Sequence, residues 1–139
     1  MDIYPTLSDL AGIPVPPRCK DASASASASC CTEGVSLGDV VRNPASGRAK
    51  TAAFYQWPVD GGNVMGYSIA TVVDSSTLRY TEWVGYDKAT HTGNWTSVHG
   101  VELYNHSADP GENFNLAGGT TIQVLQSHLS AKLHAVRGT

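Results

Sequence analysis

The chain has 139 residues, 41% of them hydrophobic, with 12 acidic against 9 basic side chains and a net charge of −3. That length suits one modest core, and the acidic balance without a Lys/Arg run gives neither nucleic acid nor a membrane surface an electrostatic footprint. No apolar run reaches the roughly 18 residues of a membrane span, and the first residues lack the charged-then-apolar plan of a signal peptide.

Ile3, Leu7 and Leu10 recur at i, i+4 and i+7, Gly12 stands where a helix C′ residue belongs, and Pro14, Pro16 and Pro17 forbid continuation. A short amphipathic helix is expected over residues 2–11. Ala22 to Ser29 alternates Ser and Ala without large side chains, cannot offset its ordering entropy, and predicts a disordered loop over residues 20–30. Extended segments follow at Ala52–Trp57, Gly66–Val73, Leu78–Tyr86 and Val98–Tyr104, rich in aromatic and β-branched residues and bounded by Gly, Asp or Asn. Their short connections imply a small four-stranded antiparallel sheet. After Thr120 and Thr121, which can cap, Ile122, Leu125, Leu129, Leu133 and Val136 repeat at helical spacing, so a C-terminal helix is expected to pack on one sheet face. The fold class is α+β.

Gly66-Tyr67-Ser68-Ile69-Ala70 falls one residue short of a nucleophile elbow, but the elbow needs a helix after it and Ile69 to Val73 reads as strand. The histidines at 91, 99, 106, 128 and 134 show neither H-E-x-x-H nor an i, i+4 pair, so no zinc site is expected.

The most informative stretch is Glu102-Leu103-Tyr104-Asn105-His106-Ser107-Ala108-Asp109-Pro110-Gly111-Glu112-Asn113-Phe114-Asn115-Leu116-Ala117. Its local chemistry predicts a structural corner: Asp109 as a helix N-cap, Pro110 as first helical residue, and Glu112 reaching back to the cap's N–H. The order resembles the E-L-Y-D, D-P-x-E, N-L-A motif near the C-terminus of type I sulfatases. Asp2 to Ile13 is similar to D-[IL]-[FY]-P-T-L-x-x-L-A-G-[IL], and Ala53-Phe54-Tyr55-Gln56-Trp57-Pro58 to A-[FY]-S-Q-[YF]-P, with Tyr55 for the usual serine. Met65 to Thr71 and Arg79 to Tyr86 are similar to M-G-Y-S-I-R-T and R-Y-T-x-W-V-G-[FY], with Ala70 for the usual arginine. Together these segments narrow the resemblance to the iduronate-2-sulfatase group.

That resemblance implies an alkaline-phosphatase-like parent fold in which residues 1–50 end the large domain and residues 51–139 form the C-terminal subdomain. The family's nucleophile is a formylglycine made from the first Cys of C-x-P-x-R, beside a calcium ion. The three cysteines read C-K-D-A-S, C-C-T-E-G and C-T-E-G-V. No catalytic residue, metal ligand or cofactor is therefore expected here, and the chain should be inactive alone. Formylglycine and calcium are expected in a catalytic sulfatase domain of the same parent polypeptide, its partner. The implied reaction is hydrolysis of the 2-O-sulfate of uronic acid in heparan or dermatan sulfate, within glycosaminoglycan degradation. A lysosomal or secreted location follows, with any signal peptide upstream of Met1.

The family pattern further implies a disulfide between Cys19 and Cys31, with Cys30 free or competing; the residues alone leave three reduced thiols as the alternative. Asn94-Trp95-Thr96 and Asn105-His106-Ser107 are sequons of a secretory glycoprotein. Gln56, Trp57, Tyr67 and Arg79 are candidate contacts for a sulfated glycosaminoglycan, since sugars stack on aromatic faces and an Arg fork can pair with a carboxylate or sulfate; the alternative is core packing of the aromatic residues with Arg79 exposed or salt-bridged. The rival reading is a free-standing, non-catalytic carbohydrate-binding or interaction domain.

Overall fold

A computed structural model describes residues 2–19, 31–46 and 50–137, in two compact units, Met1–Lys50 and Thr51–Thr139. The loop expected over residues 20–30, with Cys30, lies outside the described residues.

In the first unit, α1 spans Ile3–Leu10. The Asp2 carboxylate accepts the Val35 N–H at 2.9 Å and pairs with Lys50 at 2.7 Å, instead of capping its own helix. Gly12 takes φ +69°, and the Ile13 N–H returns to the Ser8 carbonyl at 2.9 Å, so the helix closes on a left-handed glycine. A short helix α2, Gly38–Arg42, sends the Arg42 guanidinium to the Asp9 carboxylate at 2.6 Å and to the Asp9 carbonyl at 3.0 Å. Cys19 and Cys31 are joined in a disulfide, flanked by bonds from Cys19 N–H to the Thr32 carbonyl and from Thr32 N–H to the Pro17 carbonyl. Within α1, Pro5 and Ser8 are buried, while Ile3, Leu7 and Leu10 are exposed. The apolar stripe read from the sequence is thus an uncovered face.

The second unit is an antiparallel meander of β1 (Ala52–Val59), β2 (Val64–Val73), β3 (Ser76–Asp87) and β4 (Thr92–Asn105), in spatial order β1-β2-β3-β4. Asp74 and Ser75, at φ +46° and +66°, link β2 to β3 in the doubly left-handed turn whose twist suits a two-residue hairpin. Helix α3, Gln123–Arg137, covers one face of this sheet. Leu129 and Leu133 are fully buried with Ile69, Leu78, Tyr80, Val84 and Leu103. Each such leucine stabilises the docked helix by about 2 kcal/mol of apolar burial. A polar anchor crosses the same interface: the Glu82 carboxylate accepts from Tyr80 Oη at 2.8 Å and pairs with His134 at 2.9 Å. Burial pushes Glu82 up, but hydrogen bonds from Ser130, His134 and Tyr80 outweigh it and hold the carboxyl below its usual range.

The four strands and the C-terminal helix match the expectation from the sequence, with differences at the ends. Strand β4 starts at Thr92 instead of Val98, because Trp95 stacks on Tyr67 at 4.8 Å and on His134 at 4.3 Å between ring centroids, drawing the N-W-T segment into the sheet. Thr120 and Thr121 do not cap α3. They lie in a 3₁₀ turn, Thr120–Ile122, whose N-cap position is Gly119. Val136, counted in the apolar repeat, is exposed.

Candidate functional site

Because alternate residues of a strand face opposite ways, the face away from α3 collects a separate set of side chains. Its rows run Ala53, Ala70, Arg79, Tyr104; then Tyr55, Ser68, Thr81, Glu102; then Trp57, Gly66, Trp83, Gly100.

Arg79 is the hub. Its Nε and Nη2 donate to the two Glu112 oxygens, each at 2.5 Å, in a bidentate fork, while Nη1 donates to Thr81 Oγ1 at 2.8 Å and Nη2 also reaches Glu102 at 3.3 Å. The guanidinium lies over the Tyr104 ring, 5.1 Å from its centroid. Glu102 accepts the Trp83 indole N–H at 3.0 Å with its other oxygen, and His106 Nε2 meets Glu112 Oε1. Hydrogen bonds from Arg79, then His106, against some desolvation, hold the Glu112 carboxyl down at about 2. Ser68 Oγ, the would-be nucleophile, is buried 2.7 Å from Thr81 Oγ1 and has a hydroxyl for its partner.

This arrangement assigns work to the whole signature stretch. Glu102 of E-L-Y and Glu112 of D-P-G-E converge on Arg79 of R-Y-T-E-W. Asp109 opens a turn: Glu112 N–H donates to its carbonyl at 3.2 Å, and its carboxylate accepts the Phe114 N–H at 2.9 Å and the Asn113 side chain at 2.8 Å. Asn115 then straps the return segment to β4, accepting the Leu103 N–H and donating to the Val101 carbonyl, each at 3.0 Å. The capping-box expectation is corrected here. No helix follows Asp109, Glu112 sits at φ +54°, and its side chain goes outward to Arg79 instead of back to the turn. Charge pairing with a half-buried guanidinium outcompetes capping of a single N–H.

The four candidate sugar contacts do not form one rim. Gln56 and Tyr67 share the α3 face, where Tyr67 is buried against Trp95; Trp57 and Arg79 share the other. Arg79 is salt-bridged to two carboxylates, Glu102 and Glu112, as the structural alternative expected. Trp57 is 69% exposed. Asn94 is exposed on β4 with its side-chain oxygen accepting from Thr96 N–H and Oγ1, whereas Asn105 is half-buried at the strand end. Sequence reasoning missed Glu102, Glu112 and Thr81 as the partners of Arg79, and His106 as a second partner of Glu112. Glu102 carried a signal, being the polar opening of E-L-Y, but only the register reveals that it lies beside Arg79.

Beside the hub the same face holds a cavity of about 360 Å³ lined by Val59, Val64, Trp83, His99 and Gly100. Among the described residues no group of three or more His, Cys, Asp or Glu is placed to hold a metal ion, and no helix is long and apolar enough to cross a membrane.

No family model matches the chain. It is 36% identical over 138 residues to iduronate 2-sulfatase of Mus musculus, covering 84% of this chain and 24% of that protein. It is 31% identical over 151 residues to iduronate 2-sulfatase of Homo sapiens, covering 90% of this chain and 26% of that one. Among solved structures, that of BT4656 in complex with its substrate D-glucosamine-2-N,6-O-disulfate superposes with a TM-score of 0.56 at 25% identity, over 97% of this chain and 23% of the other. Meander, covering helix and clamped signature stretch, with these similarities, define the class: this is a C-terminal sulfatase portion. More narrowly, it is iduronate-2-sulfatase-like, and it spans about a quarter of the length of the curated relatives it matches.

Proposed function

We propose that this chain is the supporting piece of a sulfuric ester hydrolase that cleaves the 2-O-sulfate of uronic acid residues in heparan or dermatan sulfate. In that reading, residues 51–139 form the C-terminal subdomain, residues 1–50 belong to the edge of the large domain, and the catalytic sulfatase domain of the parent polypeptide is the partner. None of the three cysteines stands in C-x-P-x-R, so the chain's own residues do not supply the formylglycine. That group, with the family's calcium, would supply nucleophile and charge stabilisation from the catalytic domain.

The observation that carries this reading is the double anchorage of Arg79 by Glu102 and Glu112. Both carboxylates of the signature stretch are engaged in holding a loop against a sheet, which is the work of a scaffold. A lysosomal or secreted setting accords with the Cys19–Cys31 disulfide, since such bonds persist in oxidising compartments. Asn94 would be its better glycan acceptor.

The test is sulfate release from a 2-O-sulfated iduronate disaccharide. The expected result is none from the purified 139-residue chain and turnover once a parent polypeptide containing C-x-P-x-R is expressed with it. Release by the chain alone, or a parent reading frame without that motif, would overturn the proposal.

A further inference from the structure

The row Trp57, Gly66, Trp83, Gly100 crosses all four strands on the face away from α3. Two indoles alternate with two glycines, and the glycines explain how the indoles sit. A Cβ on Gly66 would fall 2.5 Å from Trp83 Cζ3 and 2.8 Å from Cη2, so the six-membered ring lies directly on the glycine backbone. The indole N–H is fixed by Glu102 at 3.0 Å. Held at both ends, Trp83 lines the cavity of about 360 Å³ with Val59, Val64, His99 and Gly100. Trp57, the other cross-strand neighbour of Gly66, stands roughly 10 Å from Trp83 by two strand spacings and is 69% exposed.

Trp57 thus stands exposed near an open cavity, and a cavity of this volume lies in the range of small-ligand sites. Charge narrows the ligand. At the adjoining end of the face Arg79 is matched by Glu102 and Glu112, leaving no surplus positive charge for a sulfate. What the surface offers is apolar area, an immobilised indole, a second, exposed indole, and the His99 ring, whose Nε2 already meets the Ser97 hydroxyl at 3.4 Å. That combination suits a pyranose, whose C–H face is apolar and whose rim is hydroxylated.

We infer that Trp57 and Trp83 form a stacking subsite for an unsulfated stretch of a saccharide chain, taking the C–H face of a pyranose ring while recognition of sulfate happens elsewhere. The subsite rests on the proposed reading that the parent acts on a sulfated saccharide, and it moves the sugar contacts from the four candidates named from the sequence to the outer tryptophan row. Tyr67 and Gln56 have no part in it, because they face α3.

The experiment uses the full chain, whose three tryptophans serve as reporters. Indole N–H resonances are followed while a heparan-type disaccharide is added, once in 2-O-sulfated and once in desulfated form. The expected result is that Trp57 and Trp83 shift with both forms at similar affinity, while Trp95, stacked on Tyr67 and His134 across the sheet, stays still. Trp57→Ala, at an exposed position, should weaken binding roughly tenfold, the worth of one aromatic contact, with the Trp95 signal unchanged as proof of folding. No shift with either form overturns the subsite and leaves the sulfatase reading to its own sulfate-release assay. Shifts confined to the sulfated form overturn it in favour of charge recognition. Shifts that depend on protein concentration without sugar overturn it in favour of a second copy on this face.

Discussion

Neutralising Glu112 by Glu112→Gln removes the negative partner from the Arg79 fork while keeping the side chain's size. The carboxyl lies at about 2 in the folded chain against an ordinary 4.5, chiefly through hydrogen bonds from Arg79. At ~1.4 kcal/mol per unit that difference has a ceiling of ~3 kcal/mol. The side chain keeps 28% of its surface in solvent, which screens the pair, and Glu102 remains to face the guanidinium, so the expected loss at neutral pH is about 1–2 kcal/mol. The sign is fixed by linkage: a carboxyl lowered on folding stabilises above its unfolded value and loses that contribution as pH falls toward the folded one. The difference in stability between wild type and variant should therefore be full above pH 4.5 and vanish toward pH 2. Urea unfolding at a series of pH values measures it, and taking the difference removes the other carboxylates that titrate in both proteins. A variant as stable as wild type at pH 7, or a difference that does not shrink on acidification, would refute the reasoning.

Leu133→Ala, at a side chain with no exposed surface between α3 and the sheet, should cost 2–5 kcal/mol by calorimetry or urea unfolding, and a cost under 1 kcal/mol would mean that α3 does not depend on this contact. Gly66→Ala places a methyl inside the Trp83 ring's contact distance and should destabilise by about 1–3 kcal/mol, with a changed Trp83 indole signal and an unchanged Trp95 one. Cys19→Ser opens a bond that closes a sequence separation of 12 residues and should lower the stability of the first unit by about 3 kcal/mol; peptide mapping without reduction should show the link to Cys31 in the wild type only.

What the sequence revealed was whatever depends on periodicity. Leu129 and Leu133 announce the helix because a core-facing side chain must recur every three or four residues, and the four strands announce themselves by β-branched and aromatic content. Where a local rule met a distant partner, the local rule failed. Glu112 satisfies the spacing of a capping box, yet Arg79 lies 33 residues away in sequence and 2.5 Å away in space. Trp95 extends β4 beyond its expected start through rings on β2 and α3 that no window of neighbouring residues contains.

The same logic bears on Ala70, where the family pattern carries arginine. Ala70 is the cross-strand partner of Arg79 and shares its face, one strand nearer the edge. An arginine there would stand beside the guanidinium of Arg79 and compete with it for Glu102 and Glu112. With alanine, Arg79 is the one guanidinium facing both carboxylates, and it forks onto Glu112, which it shares with His106. In the fold, the departure from the family pattern at Ala70 is a change in how a structural charge cluster is balanced.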